Sequence, residues 1–126
     1  DMKLFADLMI CAAPDDLIFS AVDGLLYASY CLGAQGSIAA ILSAAPRPSV
    51  QLWNAVKAGD HATALDLHEK LLVLWNAIVG DNLPATTKYS QILQGIPAGL
   101  PRQPMSMPGE PQQVLIRNAL MGLSLI

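Results

Sequence analysis

The chain has 126 residues, 53% of them hydrophobic and 13% charged, with a formal net charge of −3 at pH 7. That length is one domain's worth, and the charge leaves no basic footprint for nucleic acid. So small a domain has much surface to cover, and its excess of apolar residues implies that some of them face another subunit or another part of the same fold.

Asp1 to Ala13 reads as a helix, with Asp1 placed to cap it and Leu4, Phe5, Leu8, Met9 and Ala12 recurring on one face. Pro14-Asp15-Asp16 ends it and leads into a brief apolar run, Leu17 to Ser20. Asp23-Gly24 punctuates that run, Leu25 to Leu32 has room for two helical turns, and Ser37 to Leu42 is apolar again. Strand, crossover helix and strand make a β-α-β unit, so the strands are expected to be parallel. Parallel strands are normally covered on both faces, which explains why neither run alternates with polar residues. The ends of such strands are where α/β proteins place their chemistry, and this directs attention to Ser20 to Asp23 and Ile38 to Leu42.

Leu25 to Pro46 contains no charged side chain and is long enough to cross a bilayer. Two features argue against a membrane partner. Gly33-Ala34-Gln35-Gly36 interrupts the centre with a turn whose backbone groups lipid would leave unsatisfied, and no cluster of Lys or Arg flanks the segment.

Pro46-Arg47-Pro48 blocks strand continuation and starts a helix with Val50, Trp53 and Val56 as its apolar stripe. Gly59 closes it, and Asp60 caps a longer helix carrying Ala64, Leu65, His68, Leu71, Leu72, Trp75, Ile78 and Val79 on one side. Gly80-Asp81-Asn82 breaks that helix, and Pro84 lies near the start of another that runs through Gln94 and ends at Gly95. Prolines at 97, 101, 104, 108 and 111 forbid regular structure between Gly95 and Pro111. Pro111 then begins a last helix whose apolar side is Val114, Leu115, Ala119, Leu120 and Leu123. The expected count is two strands against six helices. Two parallel strands alone keep both edges open and bury too little, so the remainder of a sheet is expected beyond this sequence.

Cys11 and Cys31 fall inside apolar helical patterns, where a thiol acts as a small hydrophobe. Asp1-Met2-Lys3 lacks the order of a signal peptide, and a reducing, cytoplasmic setting is expected. His61 and His68 share a helix face without a third ligand, so no metal is assigned. Gly33 to Gly36 lacks the Lys-Ser/Thr ending of a phosphate loop, Ser20 and Ser43 lack a nucleophile elbow, and no cofactor is expected.

Set together, Asp23 with Leu25-Leu26, Gly33-Ala34-Gln35-Gly36-Ser37-Ile38, Pro46, Gly59-Asp60 followed by Ala64 and Leu67, Lys88, and Gly99-Leu100-Pro101-Arg102-Gln103-Pro104-Met105 form an ordered series. In that order they resemble the C-terminal part of the dihydrodipicolinate synthase and N-acetylneuraminate lyase family, over essentially the whole chain. The resemblance implies an α/β fold: the C-terminal part of a (β/α)8 TIM barrel, carrying its last two strands, plus a C-terminal helical extension. Residues 1–47 would hold barrel helix six, strand seven, helix seven and strand eight. Residues 48–126 would hold the last barrel helix and the C-terminal helical region.

For chemistry the resemblance implies a pyruvate-type class I aldolase. In such enzymes a lysine forms a Schiff base with a 2-keto acid, and the iminium serves as electron sink for the carbanion equivalent. A tyrosine relays protons, and hydroxyl and backbone donors hold the carboxylate. The family's lysine lies on strand six, just before the position matching Asp1. The four lysines of this chain, Lys3, Lys57, Lys70 and Lys88, all fall on helices, and none is assigned that role.

Three positions carry over as substrate-binding. Ala21 matches a strand-seven residue, usually glycine, whose backbone lies beside the substrate; alanine restricts that backbone. Asp23 matches an acidic position that accepts hydroxyls of sugar acids, and its alternative reading is the N-cap of a helix over Gly24 to Leu32. Ile38 matches the strand-eight residue beside the keto acid, and its alternative is a core isoleucine. The implied partners are a small 2-keto acid and further copies of the chain, as dimer or tetramer, with Trp53, Leu72 and Trp75 as candidate anchors. Two function classes remain open: part of a lyase or synthase whose catalytic lysine lies upstream, or a truncated relative kept as a helical binding or assembly module.

Overall fold

The computed structural model describes residues 1–126. Its first helix, α1 (Met2–Cys11), begins where expected: Oδ1 of Asp1 accepts the backbone N–H of Lys3 at 2.9 Å and of Leu4 at 3.4 Å. Strand β1 (Phe19–Ser20) follows, then a 3₁₀ turn at Asp23–Leu25, helix α2 (Leu26–Cys31) and strand β2 (Gly36–Ser37). The strands pair in parallel, Phe19 with Gly36 and Ser20 with Ser37. Backbone bonds from Gln35 N–H to the Ile18 carbonyl and from Ile38 N–H to the Ser20 carbonyl, both 2.9 Å, extend the ladder beyond these residues. A Cβ at Gly36 would stand 2.5 Å from the Phe19 ring, so this close approach requires glycine.

The second strand is shorter than its apolar run. Ser37 to Leu42 was expected to be strand throughout, but Ala40–Ala44 is helix α3. The run is alanine-rich, and alanine has the strongest helix propensity. In addition, Oδ1 of Asp23 accepts the Ile41 N–H at 2.8 Å, satisfying a donor in the first turn of α3. The helix count is therefore seven α-helices rather than six.

Helices α4 (Pro46–Lys57), α5 (His61–Ile78), α6 (Leu83–Leu93) and α7 (Glu110–Gly122) complete the chain. Gly59, at φ +73°, makes the turn between α4 and α5, and Asp60 caps α5 through the Thr63 N–H at 3.1 Å. Between α6 and α7 the proline-rich stretch has no regular structure, as expected. It is tied down by Lys88 Nζ to the Leu100 carbonyl (2.8 Å) and Gln113 Nε2 to the Pro108 carbonyl (2.7 Å).

The core lies among the helices and is centred on α5, which packs against α4 on one side and α7 on the other. Ala64, Leu71 and Ile78 are buried as the periodicity indicates, and Leu74 and Ala77 join them because the helix is covered from two directions. Leu65 and Val79 are exposed. In α4 the buried face is Pro48, Ser49, Leu52 and Ala55; Val50 faces solvent, and Trp53 and Val56 lie at the margin. In α7, Ile116, Ala119 and Leu120 are buried, whereas Val114 and Leu115 are exposed. Neither Cys11 nor Cys31 behaves as a buried hydrophobe, for both thiols are free and exposed. No helix is long and apolar enough to cross a membrane.

Adjacent residues of α5 test this arrangement. Leu74→Ala empties a fully buried position and is expected to cost about 2–5 kcal/mol. Val73→Ala, at an exposed one, should change stability by no more than about 0.5 kcal/mol. Urea denaturation of the two variants measures the contrast.

Candidate functional site

Successive strand residues point to opposite sides, and here the two sides differ in kind. Toward the helices, Ser20 Oγ donates to Ser29 Oγ at 2.8 Å, and Ser29 Oγ donates to the Leu25 carbonyl at 3.0 Å. Ser37 Oγ is 2.6 Å from the Tyr30 hydroxyl, and the Tyr30 ring meets Trp53 edge to face at 4.9 Å between centroids. Burial pushes the Tyr30 phenol up from its ordinary value, partly offset by the bond to Ser37. Each strand is thus pinned to α2 by a serine hydroxyl, buried at Ser20 and partly buried at Ser37. The sequence signal for this linkage is a serine set inside each apolar run.

The opposite side is open. Phe19 is 49% exposed and Ile38 77% exposed, with Ala21 exposed one step beyond β1. Ala21 and Ile38 therefore both follow strand ends, and Ile38 projects into the open instead of forming core. Asp23 lies behind them, partly buried, with one carboxylate oxygen on the Ile41 N–H. Its helix-capping role exists, but for α3 across the loop; the turn it begins has Val22 at its N-cap, without a side-chain bond.

The lysines are all on helices and all engaged. Lys3 pairs with Asp7 at 2.6 Å and Lys70 with Asp66 at 2.7 Å. Lys57 stands over the Trp53 ring at 4.5 Å, and Lys88 holds the Leu100 carbonyl. Neither strand carries one. Both histidines converge on a single tyrosine: the Tyr27 hydroxyl is 3.1 Å from His61 Nδ1, and its ring centroid is 5.7 Å from that of His68. This contact joins α2 to α5. Burial lowers the His68 pKa from its ordinary value, while Glu69 beside it acts in the opposite direction.

A family model described as the dihydrodipicolinate synthetase family matches residues 1–121. The chain belongs to that family. Over 107 residues it is 36% identical to a 4-hydroxy-tetrahydrodipicolinate synthase of Bradyrhizobium diazoefficiens, covering 85% of this chain and 36% of that protein. Its structure is similar to dihydrodipicolinate synthase from Thermotoga maritima (TM-score 0.85, 26% identity), covering all of this chain and 44% of the other. It is also similar to N-acetylneuraminate lyase from Fusobacterium nucleatum complexed with pyruvate (TM-score 0.82, 25% identity), covering 96% of this chain and 41% of the other. The chain spans less than half the length of these dihydrodipicolinate synthetase relatives, as a part of the TIM-barrel fold with two short parallel strands and a mostly helical remainder.

Two measurements probe the groups around the strand ends. Asp23→Ala removes an acceptor from the first turn of α3 and should cost about 1 kcal/mol, with Asp23→Asn retaining most of it. For His68, the folded-state pKa lies below the unfolded one, so the unfolded chain takes up the proton first. Stability should therefore fall as pH drops below about 6.5, levelling off under the folded-state value. Denaturation midpoints at pH 7.5 and 5.5 should converge in His68→Gln.

Proposed function

We propose that the chain is the C-terminal portion of a Schiff-base-forming, pyruvate-dependent class I aldolase, lyase or synthase. Its substrate would be pyruvate or a 2-keto-3-deoxy sugar acid, and its catalytic lysine would lie upstream of position 1. The observation that carries this reading is the pair of parallel strands with Phe19, Ala21 and Ile38 on the uncovered side. In a closed (β/α)8 barrel that side is the interior, and strand ends carry the chemistry. Family membership and likeness to a lyase complexed with pyruvate support it.

On this reading residues 1–47 form the barrel portion and 48–126 the last barrel helix and helical region. The chain supplies walls to the site. Ile38 packs beside the keto acid and keeps water from the iminium; the backbone at Ala21 borders the substrate. The second carboxylate oxygen of Asp23 accepts a hydroxyl of the sugar-acid part while the first holds Ile41. The whole protein would be a cytoplasmic homo-oligomer, dimer or tetramer. A second reading, a non-catalytic helical assembly module, is favoured by one observation: the core is helical and does not depend on the strands.

Borohydride reduction in the presence of pyruvate separates these readings. The 126-residue chain alone should give no covalent adduct, and an adduct on Lys3, Lys57, Lys70 or Lys88 would overturn the assignment. A longer chain containing the upstream barrel should be trapped on an upstream lysine. Its failure to react would favour the assembly module.

A further inference from the structure

Leu72 and Trp75 lie three residues apart on α5 and therefore share a face of it, both partly buried. That face carries the turn after β1. A Cβ at Gly24 would stand 3.1 Å from Cδ1 of Trp75, 3.3 Å from Cδ1 of Leu72 and 3.4 Å from Nε1 of Trp75. The Gly24 backbone is outside the left-handed region, so the turn uses this glycine for room and not for conformational freedom. Its neighbour in the turn is Asp23, whose Oδ1 accepts the Ile41 N–H at 2.8 Å. Ile41 is itself fully buried, so the carboxylate spans two fixed points: a turn seated on α5 and the first turn of α3. No cation pairs with Asp23, and these two contacts are what aim it.

We propose that Trp75 is a positioning residue for Asp23. The indole sets the height of the turn, and the turn sets where the second carboxylate oxygen of Asp23 stands. The helical region thereby takes part in the site instead of only carrying it. The binding role rests on the proposed reading in which Asp23 accepts a substrate hydroxyl; the coupling from Trp75 to Ile41 does not. Two properties suit the indole to this task. Helix α5 is held from both sides by α4 and α7, so a side chain rooted on it has a fixed base. A wide, flat ring with two torsions also supports the turn over a broad contact at small conformational cost. The bond that depends on this seat is short, and hydrogen bonds weaken as they lengthen and bend, so a small shift of Gly24 is felt at Ile41.

The Ile41 amide sits in the first turn of α3, where no helical acceptor exists, and its one acceptor is Asp23. Hydrogen exchange at this amide is followed in the 126-residue chain. The component that does not rise with urea is taken, because it reads local opening and not global unfolding. Trp75→Leu should speed this exchange at least about tenfold when Asp23 is present, and less than about twofold in the Asp23→Ala background. Gly24→Ala crowds the indole from the other side; it should speed the exchange in the same way, and it decides the matter if Trp75→Leu does not fold. Unchanged Ile41 exchange, or equal acceleration with and without Asp23, would overturn the coupling. In a longer chain containing the upstream barrel, Trp75→Leu should raise KM for a 2-keto-3-deoxy sugar acid at least about fivefold and change kcat less than about twofold. An unchanged KM beside a loosened Ile41 would refute the role in the site. If that longer chain gives no adduct with pyruvate and borohydride, the aldolase reading fails by itself, and the Ile41 measurement still decides the coupling.

Discussion

Because α5 is clasped between α4 and α7, the apolar area that pays for ordering this chain is helical, and the two strands are held by the helices rather than holding them. Leu71, Leu74 and Ile78 on α5 meet Leu52 from α4 and Ile116 and Leu120 from α7 in one continuous core. The strands contribute Ser20 and Ser37 to the inner side, each bonded to α2, and leave Phe19 and Ile38 outside. Hydrophobic burial scales with the area withdrawn from water, so a unit arranged this way can keep its strands in place while one side of them stays bare.

That distribution explains which parts of the structure could be read in advance. Caps and breakers act within a few residues, and Asp1, Gly59, Asp60 and the proline series behave as their local chemistry dictates. The stripes of α4 and α7 were displaced because a helix's buried arc is set by its neighbours, and neighbouring positions differ by about 100° around the axis. Val50 and Leu52, or Leu115 and Ile116, are both apolar in the sequence; the positions of α5 and the other packed helices select between them. The strand expected over Ser37 to Leu42 became a helix after Ser37 through a contact from eighteen residues upstream, which no window of sequence contains.

The candidate site shows the same division. The parallel pairing followed from punctuation and apolar runs, whereas Ala21 and Ile38 were singled out by the resemblance to the family, and Ile38 lies just past a strand that was expected to run on to Leu42. The polar linkage behind them, from Ser20 to Ser29 and Ser37 to Tyr30, depends on which strand face meets α2 and was hidden by the shortness of both runs. The lysines were set aside because helical periodicity put them on helices and not at a strand end; all four do lie on helices, and Asp7 and Asp66 hold two of them. Tyr27 gathering both histidines required knowing that α2 lies across α5.

The bond from Asp23 to Ile41 ties the loop after one strand to the helix after the other. Those two segments cannot shift independently: a solute that pulls on the carboxylate also tugs the amide, and with it the start of α3. One carboxylate thus couples the two places where the chain leaves the sheet.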